Sequence, residues 1–125
     1  MLARAVALGL SGALAMPAAA QQFPAKPVRL IVGFAPGGGT DLAARYVAGA
    51  LTELWGNTVL VDNRAGAGGA VATELAVRAA PDGYTVTLCT IGHAITAARV
   101  KLPYDPVRDV SFISMVGVIS RLGMT

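Results

Sequence analysis

A regular alternation of short apolar runs, glycine-rich turns and amphipathic stretches constrains this chain more than any other feature. The β-branched run Val28–Phe34 stops at a Pro-Gly-Gly-Gly turn, and a helical pattern extends from there to Trp55. A second run, Thr58–Asp62, leads into another glycine-rich loop and a helical pattern over 70–80. Short strands that alternate with helices are typical of a parallel sheet with helices on both faces. We therefore predict an α/β fold with a doubly wound, mostly parallel sheet.

The two predicted helices carry recognisable end and face signals. Thr40 is the expected N-cap of the first helix, and Gly56 is its expected C′ residue. The second helix has Glu74 and Arg78 at i,i+4 on its exposed side. Apolar residues that recur every three or four positions predict the buried faces. These faces comprise Ala43, Tyr46, Val47, Ala50, Leu51 and Leu54 in the first helix, and Val71, Leu75 and Ala79 in the second.

The remaining elements follow a Pro81-Asp82-Gly83 turn, in which proline presets φ and glycine accepts a positive φ. We predict a third strand over 84–90, a short helix over 94–99 and a strand-rich segment over 110–120.

The first twenty residues have the three parts of a secretory signal peptide. A basic start with Arg4 precedes an apolar run over 5–15, and Ala18 and Ala20 form an A-x-A cleavage pattern. The run is shorter than the roughly 20 apolar residues that a membrane span needs. We predict cleavage after Ala20 and export to the periplasm.

Charge and cysteine content argue against two classes of protein. The formal net charge is +3, and one of the positive charges, Arg4, lies in the predicted signal peptide. The other Lys and Arg residues are scattered among Asp and Glu, which disfavours a nucleic-acid partner. A single cysteine, Cys89, excludes an intramolecular disulfide framework.

Both glycine-rich loops, and the segment Thr90–His93, follow predicted strands and therefore belong at the carboxyl edge of the sheet, where ligands bind in open α/β folds. The Pro36–Asp41 turn opens a helix whose positive end suits an anion, and the Thr40 hydroxyl is an added donor. Asp41 complicates this reading because a carboxylate repels a bare anion; it either caps its own helix or accepts from a ligand amine or a water. The alternative, that the glycines only make tight turns, is equally compatible with the spacing.

Known catalytic and nucleotide motifs fit poorly. Gly39 is followed by Thr40 and Asp41 instead of the Lys and Ser/Thr of a P-loop, and Val71 replaces the last glycine of a dinucleotide fingerprint. His93, the only histidine, is expected to cap or line the loop edge, and Cys89 to be a small core residue. Neither stands among metal ligands. We therefore predict no enzyme activity, no metal and no cofactor.

Four motifs follow one another along the chain after the predicted signal peptide. They are Phe34-Ala35-Pro36-Gly37-Gly38-Gly39-Thr40-Asp41, Asn63-Arg64-Ala65-Gly66-Ala67-Gly68-Gly69, Ala80-Pro81-Asp82-Gly83-Tyr84-Thr85 and Lys101-Leu102-Pro103-Tyr104-Asp105-Pro106-Val107-Arg108-Asp109. In this order and register they resemble the Bug family, the TctC-like periplasmic receptors of tripartite tricarboxylate transporters. The resemblance covers nearly the whole chain after the predicted signal peptide.

The resemblance implies a type II, Venus-flytrap binding protein that closes over a small carboxylate and delivers it to membrane permease subunits. The acid is a di- or tricarboxylate, an amino acid or an aromatic acid, and the full-length receptor is expected to be a monomer. Ala65 and Thr96 depart from residues common in the family. The ligand-binding residues that it implies are Gly38, Gly39, Thr40, Asp41, Gly68, Gly69, Ala70, Thr90 and His93.

Family members are more than twice as long as this chain. Residues 21–125 are therefore expected to be a partial, truncated first lobe that lacks the second lobe and the C-terminal return. Two alternatives stay open beside the transport receptor: a flytrap sensor that feeds a membrane histidine kinase, and a non-functional fragment. A small-molecule enzyme that uses the glycine loops is a weaker third.

Overall fold

The computed structural model describes residues 22–117, and these contain a three-stranded parallel sheet with helices between the strands. The strands are β1 (Val28–Val32), β2 (Val59–Asn63) and β3 (Thr85–Leu88), in the order β2-β1-β3. The helices are α1 (Gly39–Trp55), α2 (Ala70–Val77), which follows a short 3-10 turn at Ala67–Gly69, and α3 (Ile91–Arg99). The predicted α/β class with a parallel sheet is confirmed.

Strand β1 forms the centre of the core because it is paired on both sides. Val28 pairs with Val59 of β2, and Leu30 pairs with Val86 of β3. Ile31 and Val32 are fully buried. A strand covered on both faces needs apolar side chains at successive positions, which explains the continuous apolar run in the sequence.

The buried face of α1 differs in part from the prediction, since Leu51 packs against the core as predicted. Ala44 and Ala48 lie in the core, whereas Tyr46 and Leu54 are 82% and 76% exposed. Alanines recur around much of this helix, so the positions of the large apolar residues did not identify the face that meets the sheet. Small side chains on that face let the helix backbone lie close to β1 and β2.

Helix α2 shows the same reversal. Its buried residues are Ala70, Ala72 and Thr73, whereas Val71 and Leu75 are exposed. The predicted Glu74–Arg78 ion pair is confirmed, with 2.7 Å between Oε1 and Nη2. The large apolar side chains of α2 thus lie outside the core that these residues form.

Helix ends follow the sequence signals in part. Gly56 adopts φ 66° after α1, as expected for a C′ glycine. Helix α1 begins one residue before Thr40, with Gly38 as N-cap and no side-chain cap, so the prediction for Thr40 was wrong. Helix α3 begins at Ile91 instead of Ala94, because the Thr90 hydroxyl accepts from the Gly92 N–H and caps it there.

The turn before β3 forms as predicted. Gly83 has φ 80°, and Asp82 Oδ1 accepts from the Tyr84 N–H at 3.0 Å. The predicted strand-rich segment forms no strand over 110–117, and β3 pairs only with β1 in the described part of the chain.

The predicted signal peptide and the end of that segment, 118–120, lie outside the described residues. Among residues 22–117, no helix combines the length and the apolar character that crossing a membrane requires.

Candidate functional site

The three loops that follow the strands lie together at the carboxyl edge of the sheet. Because β1, β2 and β3 are parallel, their ends at Val32, Asn63 and Leu88 share this edge. We call the segments loop 1 (33–38), loop 2 (64–69) and loop 3 (89–90). Loop 1 leads into α1, loop 2 into α2 and loop 3 into α3. The edge therefore carries the start of every helix in residues 22–117.

Asp41 organises loop 1. Its carboxylate is buried, and Oδ2 accepts from the Gly37 N–H and from Arg45 Nε, both at 2.9 Å. Oδ1 accepts from Asn63 Nδ2, also at 2.9 Å. One side chain in the first turn of α1 thus holds the loop before it and the end of β2.

Asn63 joins the ends of β1 and β2. Besides its bond to Asp41, Nδ2 donates to the Phe34 carbonyl at 3.1 Å, and Oδ1 accepts from Arg45 Nη2 at 3.5 Å. The amide therefore has partners on both loop 1 and α1. Asn63 is the last residue of β2, which fixes its backbone and aims the side chain across the edge.

Hydrogen bonds hold the Asp41 carboxylate in its charged form. The Arg45 guanidinium contributes most, followed by the Gly37 N–H and the Asn63 amide, and together they lower the pKa of Asp41 from 3.8 to about 2. The same contact raises the pKa of Arg45. Asp41 is thus ionised at neutral pH, and its charge is neutralised within the protein.

Loops 1 and 2 approach each other at two glycines. A Cβ on Gly33 would lie 2.5 Å from the Gly69 Cα and 3.2 Å from the Ala72 Cβ. Only glycine at position 33 allows this approach, because the nearest atom is backbone and has no rotamer to change. Close backbone packing, without a side-chain hydrogen bond at the contact, joins these two loops.

Loop 2 also packs against α3. The Thr96 hydroxyl donates to the Ala67 carbonyl at 3.3 Å, and a Cβ on Gly68 would lie 2.7 Å from that hydroxyl. A Cβ on Gly92 would lie 3.0 Å from the Gly68 carbonyl oxygen. Loop 2 is therefore in contact with loop 1 on one side and with α3 on the other, and the three loops form a continuous surface.

His93 lies beneath this surface. The side chain is 5% exposed, and its ring stacks on Tyr104 with centroids 5.9 Å apart and planes 6° apart. Its Nδ1 is 3.3 Å from the Tyr104 hydroxyl, and Nε2 has no hydrogen-bond partner within residues 22–117. Burial raises the pKa of Tyr104. His93 thus fastens the segment after α3 to the first turn of that helix.

The predicted binding residues fall into two groups by accessibility. Gly38, Gly39 and Gly68 are exposed, and Thr40 and Thr90 are half-buried. The others, Asp41, Gly69, Ala70 and His93, are buried. All nine residues lie in the three loops or in the first turns of the helices, and the buried ones support the accessible ones.

Arg45 and Asn63 are the structural residues that sequence reasoning missed. The i,i+4 spacing of Asp41 and Arg45 was a usable signal for their ion pair. Nothing local pointed to Asn63, which lies 22 positions from Asp41 in the chain.

Side chains that commonly bind metal ions or act in catalysis are few among the described residues. No cluster of three or more His, Cys, Asp or Glu in 22–117 is placed to hold a metal ion. Cys89 is half-buried, with Sγ 3.6 Å from the Thr73 hydroxyl.

Comparison with known proteins gives a consistent set of relatives. The profile of the tripartite tricarboxylate transporter family receptors matches residues 43–123. BugT of Bordetella pertussis is 38% identical over 115 residues, which cover 90% of this chain and 35% of that protein. This chain therefore spans about a third of the length of that curated relative.

Two solved structures are also similar to this chain. The structure of MatC from Rhodopseudomonas palustris with bound malate is 37% identical, with a TM-score of 0.64, and the match covers 70% of this chain and 30% of that one. A structure described as a periplasmic transporter is 45% identical, with a TM-score of 0.62, and the match covers 68% of this chain and 29% of that one.

Proposed function

Because this chain belongs to the tripartite tricarboxylate transporter receptor family, we propose that it supplies the first-lobe half of a periplasmic binding site for a small carboxylate. The observation that carries this proposal is the continuous surface of loops 1, 2 and 3 at the carboxyl edge of the sheet. The family is one of solute-binding receptors, and MatC, a solved structure similar to this chain, contains malate.

Main-chain amides at the start of α1 are the proposed carboxylate donors. The first intrahelical bond runs from the Leu42 N–H to the Gly38 carbonyl, so the N–H groups of Gly39, Thr40 and Asp41 precede it. No side chain caps this helix. Free N–H groups and the positive end of a 17-residue helix attract an anion, and the half-buried Thr40 hydroxyl adds a donor.

Loop 2 is the second proposed contact, and loop 3 is the weakest. The 3-10 turn and α2 also lack side-chain caps. Because the Gly69 and Ala70 N–H groups already donate to the Gly66 and Ala67 carbonyls, the Gly68 N–H is the donor that loop 2 offers to a ligand. At α3 the Thr90 hydroxyl already accepts from the Gly92 N–H. We therefore rank Thr90 and the buried His93 below the residues of loops 1 and 2 as ligand contacts.

Asp41 is proposed as a positioning residue. Its three hydrogen bonds occupy both carboxylate oxygens, and Arg45 balances its charge. The repulsion that a free carboxylate would exert on an anionic ligand is thereby reduced. Asp41 thus shapes loop 1 around the ligand without contacting it.

The rest of the receptor cycle is proposed from family membership. A second lobe, supplied by sequence that the longer relatives have, closes over the acid, and the loaded receptor delivers it to membrane permease subunits. The predicted signal peptide over 1–20 supports a periplasmic location for this step.

Thermal unfolding with and without malate tests the proposed site. A ligand that binds only the native chain raises the melting temperature as its concentration rises. Thr40→Val removes the hydroxyl and keeps the shape of the side chain, so we expect the malate-dependent shift to shrink. Thr58→Val is the matched control, because Thr58 is exposed and precedes β2 at the opposite edge of the sheet.

A saturable shift that is reduced in Thr40→Val and unchanged in Thr58→Val supports the site. Equal malate-dependent shifts in the parent chain, Thr40→Val and Thr58→Val would mean that malate binds at another site. If the chain melts cooperatively and none of a panel of di- and tricarboxylates, amino acids and aromatic acids shifts it, the first lobe does not bind an acid alone.

A further inference from the structure

Tyr104 and His93 form a buried polar pair at the start of α3. The chain turns back after this helix, and the two buried rings stack on each other. The Tyr104 hydroxyl lies 3.3 Å from Nδ1 of His93. It is the one hydrogen-bond partner of the imidazole within residues 22–117, because Nε2 has none there. The histidine side chain therefore depends on a single hydrogen bond, and a residue outside its own helix supplies it.

The dependence of His93 on this bond follows from its burial. A buried polar group that loses its partner destabilises a fold by more than an ordinary hydrogen bond stabilises it. Without the Tyr104 hydroxyl, both ring nitrogens would lack a partner, so the ring would have to move towards water. The ring cannot move far without the first turn of α3, which its own N–H closes by donating to the Thr90 carbonyl at 3.0 Å.

The first turn of α3 lies directly against loop 2. Gly92, the residue before His93, is so close that a Cβ there would lie 3.0 Å from the Gly68 carbonyl oxygen. One turn later, the Thr96 hydroxyl donates to the Ala67 carbonyl at 3.3 Å. Packing this close transmits a shift of α3 to loop 2. Because the Gly68 N–H is the donor that loop 2 offers to a ligand, the position of α3 affects the proposed site.

The backbone that follows Tyr104 is held by its own hydrogen bonds. Asp105 Oδ1 accepts from the N–H groups two and three residues later, both at 2.9 Å. The Asp105 N–H donates to Asp109 Oδ2 at 2.7 Å. This compact turn fixes the chain beside Tyr104, so holding the hydroxyl against His93 requires little further loss of conformational entropy.

We propose that Tyr104 is a positioning residue for the carboxylate site. Its hydroxyl holds His93, and with it the first turn of α3, in the place where Gly68 presents its N–H to the ligand. This inference rests on the proposed function and extends the site to a residue outside loops 1, 2 and 3. Tyr104 acts through His93 and Gly92 and does not contact the acid.

Tyr104→Phe tests this role, and Tyr84→Phe is the matched control. Each substitution removes one hydroxyl and keeps the aromatic ring. The Tyr84 hydroxyl also has a partner, the Ala25 N–H at 2.9 Å, but Tyr84 precedes β3 and so lies at the opposite edge of the sheet. We expect both variants to melt at a lower temperature. Only Tyr104→Phe should bind malate more weakly, by about threefold or more in isothermal titration calorimetry.

Amide hydrogen exchange of the ligand-free chain gives a second readout, which does not depend on malate. The Gly69 and Ala70 N–H groups report on loop 2, because they close its hydrogen-bonded turn. The Leu42 N–H reports on loop 1, to which it is bonded. We expect the two loop 2 amides to exchange faster in Tyr104→Phe, while Leu42 keeps its rate. In Tyr84→Phe all three should exchange as in the parent chain.

A double variant, Tyr104→Phe with His93→Phe, completes the test because it leaves no imidazole without a partner. Its loop 2 amides should regain the parent exchange rates, and failure to regain them would contradict the proposal. Equal malate affinities in Tyr104→Phe and Tyr84→Phe, or faster exchange at Leu42 as well, would mean that the Tyr104 hydroxyl stabilises the fold without positioning loop 2. A parent chain that does not respond to malate would contradict the carboxylate site, whereas the exchange rates decide whether Tyr104 holds loop 2.

Discussion

Loops 1 and 2 have similar glycine-rich compositions but are held in different ways. Loop 1 is fixed by charge, through the three hydrogen bonds of Asp41 to Gly37, Arg45 and Asn63. Loop 2 is fixed by shape, through the approach of Gly69 to Gly33 and of Gly68 to α3. Composition alone therefore does not say how a glycine-rich loop is stabilised. The two loops should respond to different perturbations: loop 1 to changes of charge and pH, loop 2 to added volume.

The largest effect is expected from Gly33→Ala, which tests the shape-based contact. The new Cβ would lie 2.5 Å from the Gly69 Cα, so one backbone must move. Overpacking of this kind costs roughly 1–3 kcal/mol of unfolding free energy. Urea denaturation gives the value, and Gly39→Ala is the control, because a Cβ there meets nothing within 4 Å. If Gly39→Ala lost as much unfolding free energy as Gly33→Ala, the contact between loops 1 and 2 would be no more sensitive to an added methyl group than the start of α1.

A smaller loss is expected from Asp41→Asn, which tests the charge-based contact. The amide keeps the size of the side chain but lacks the charge that pairs with Arg45, and it offers one acceptor oxygen where the carboxylate offers two. Glu74→Gln serves as the control, because its ion pair with Arg78 is exposed. We expect urea denaturation to show a clearly greater loss for Asp41→Asn, and the malate-dependent thermal shift to fall in this variant alone. Equal losses would show that the loop does not depend on the buried carboxylate.

The smallest expected effect is the pH dependence of the unfolding free energy. It separates the charge-based contact of loop 1 from the shape-based contact of loop 2 most directly. The pKa of Asp41 lies at about 2 in the folded protein, below its ordinary 3.8. A depressed folded pKa gives stability that is fully present above 3.8 and is lost as the pH falls towards 2. The difference in unfolding free energy between the parent chain and Asp41→Asn should therefore shrink from pH 5 to pH 2.

Parallel denaturation curves for these two proteins at four pH values measure that difference. The difference between the parent chain and Gly33→Ala should stay constant over the same range, since no titrating group is involved. A constant difference for Asp41→Asn would contradict the assigned role of its charge.

Local features of the fold were predictable from sequence because a few neighbouring residues determine them. The turn at Asp82-Gly83 and the helix end at Gly56 depend on residues that accept positive φ, and both appear as predicted. The order of strands and helices followed from hydrophobic runs separated by glycine. The Glu74–Arg78 pair followed from helical spacing alone.

Features that depend on distant residues were not predictable. Large side chains such as Tyr46 and Leu75 were assigned to the buried faces of α1 and α2, but they are exposed. Small residues fill most of those faces because close helix–sheet packing leaves little room, and Leu51 is the predicted large residue that does pack against the core. The Asp41 network needs Asn63 of another strand. The segment over 110–117 has an apolar sequence suited to a strand, yet a strand forms only when a neighbour supplies hydrogen bonds.

The uncapped start of α1 has a consequence for how such a protein can evolve. Side-chain donors are lost by a single codon change, whereas the main-chain amides of Gly39 and Thr40 are present whatever side chains those positions carry, with proline as the exception. An anion site built from main-chain amides is therefore retained when the residues around it are substituted during evolution. In the proposed carboxylate site, substitutions elsewhere on the loops can then alter which acid is preferred, while the main-chain amides proposed to hold the carboxylate are inherited with the backbone.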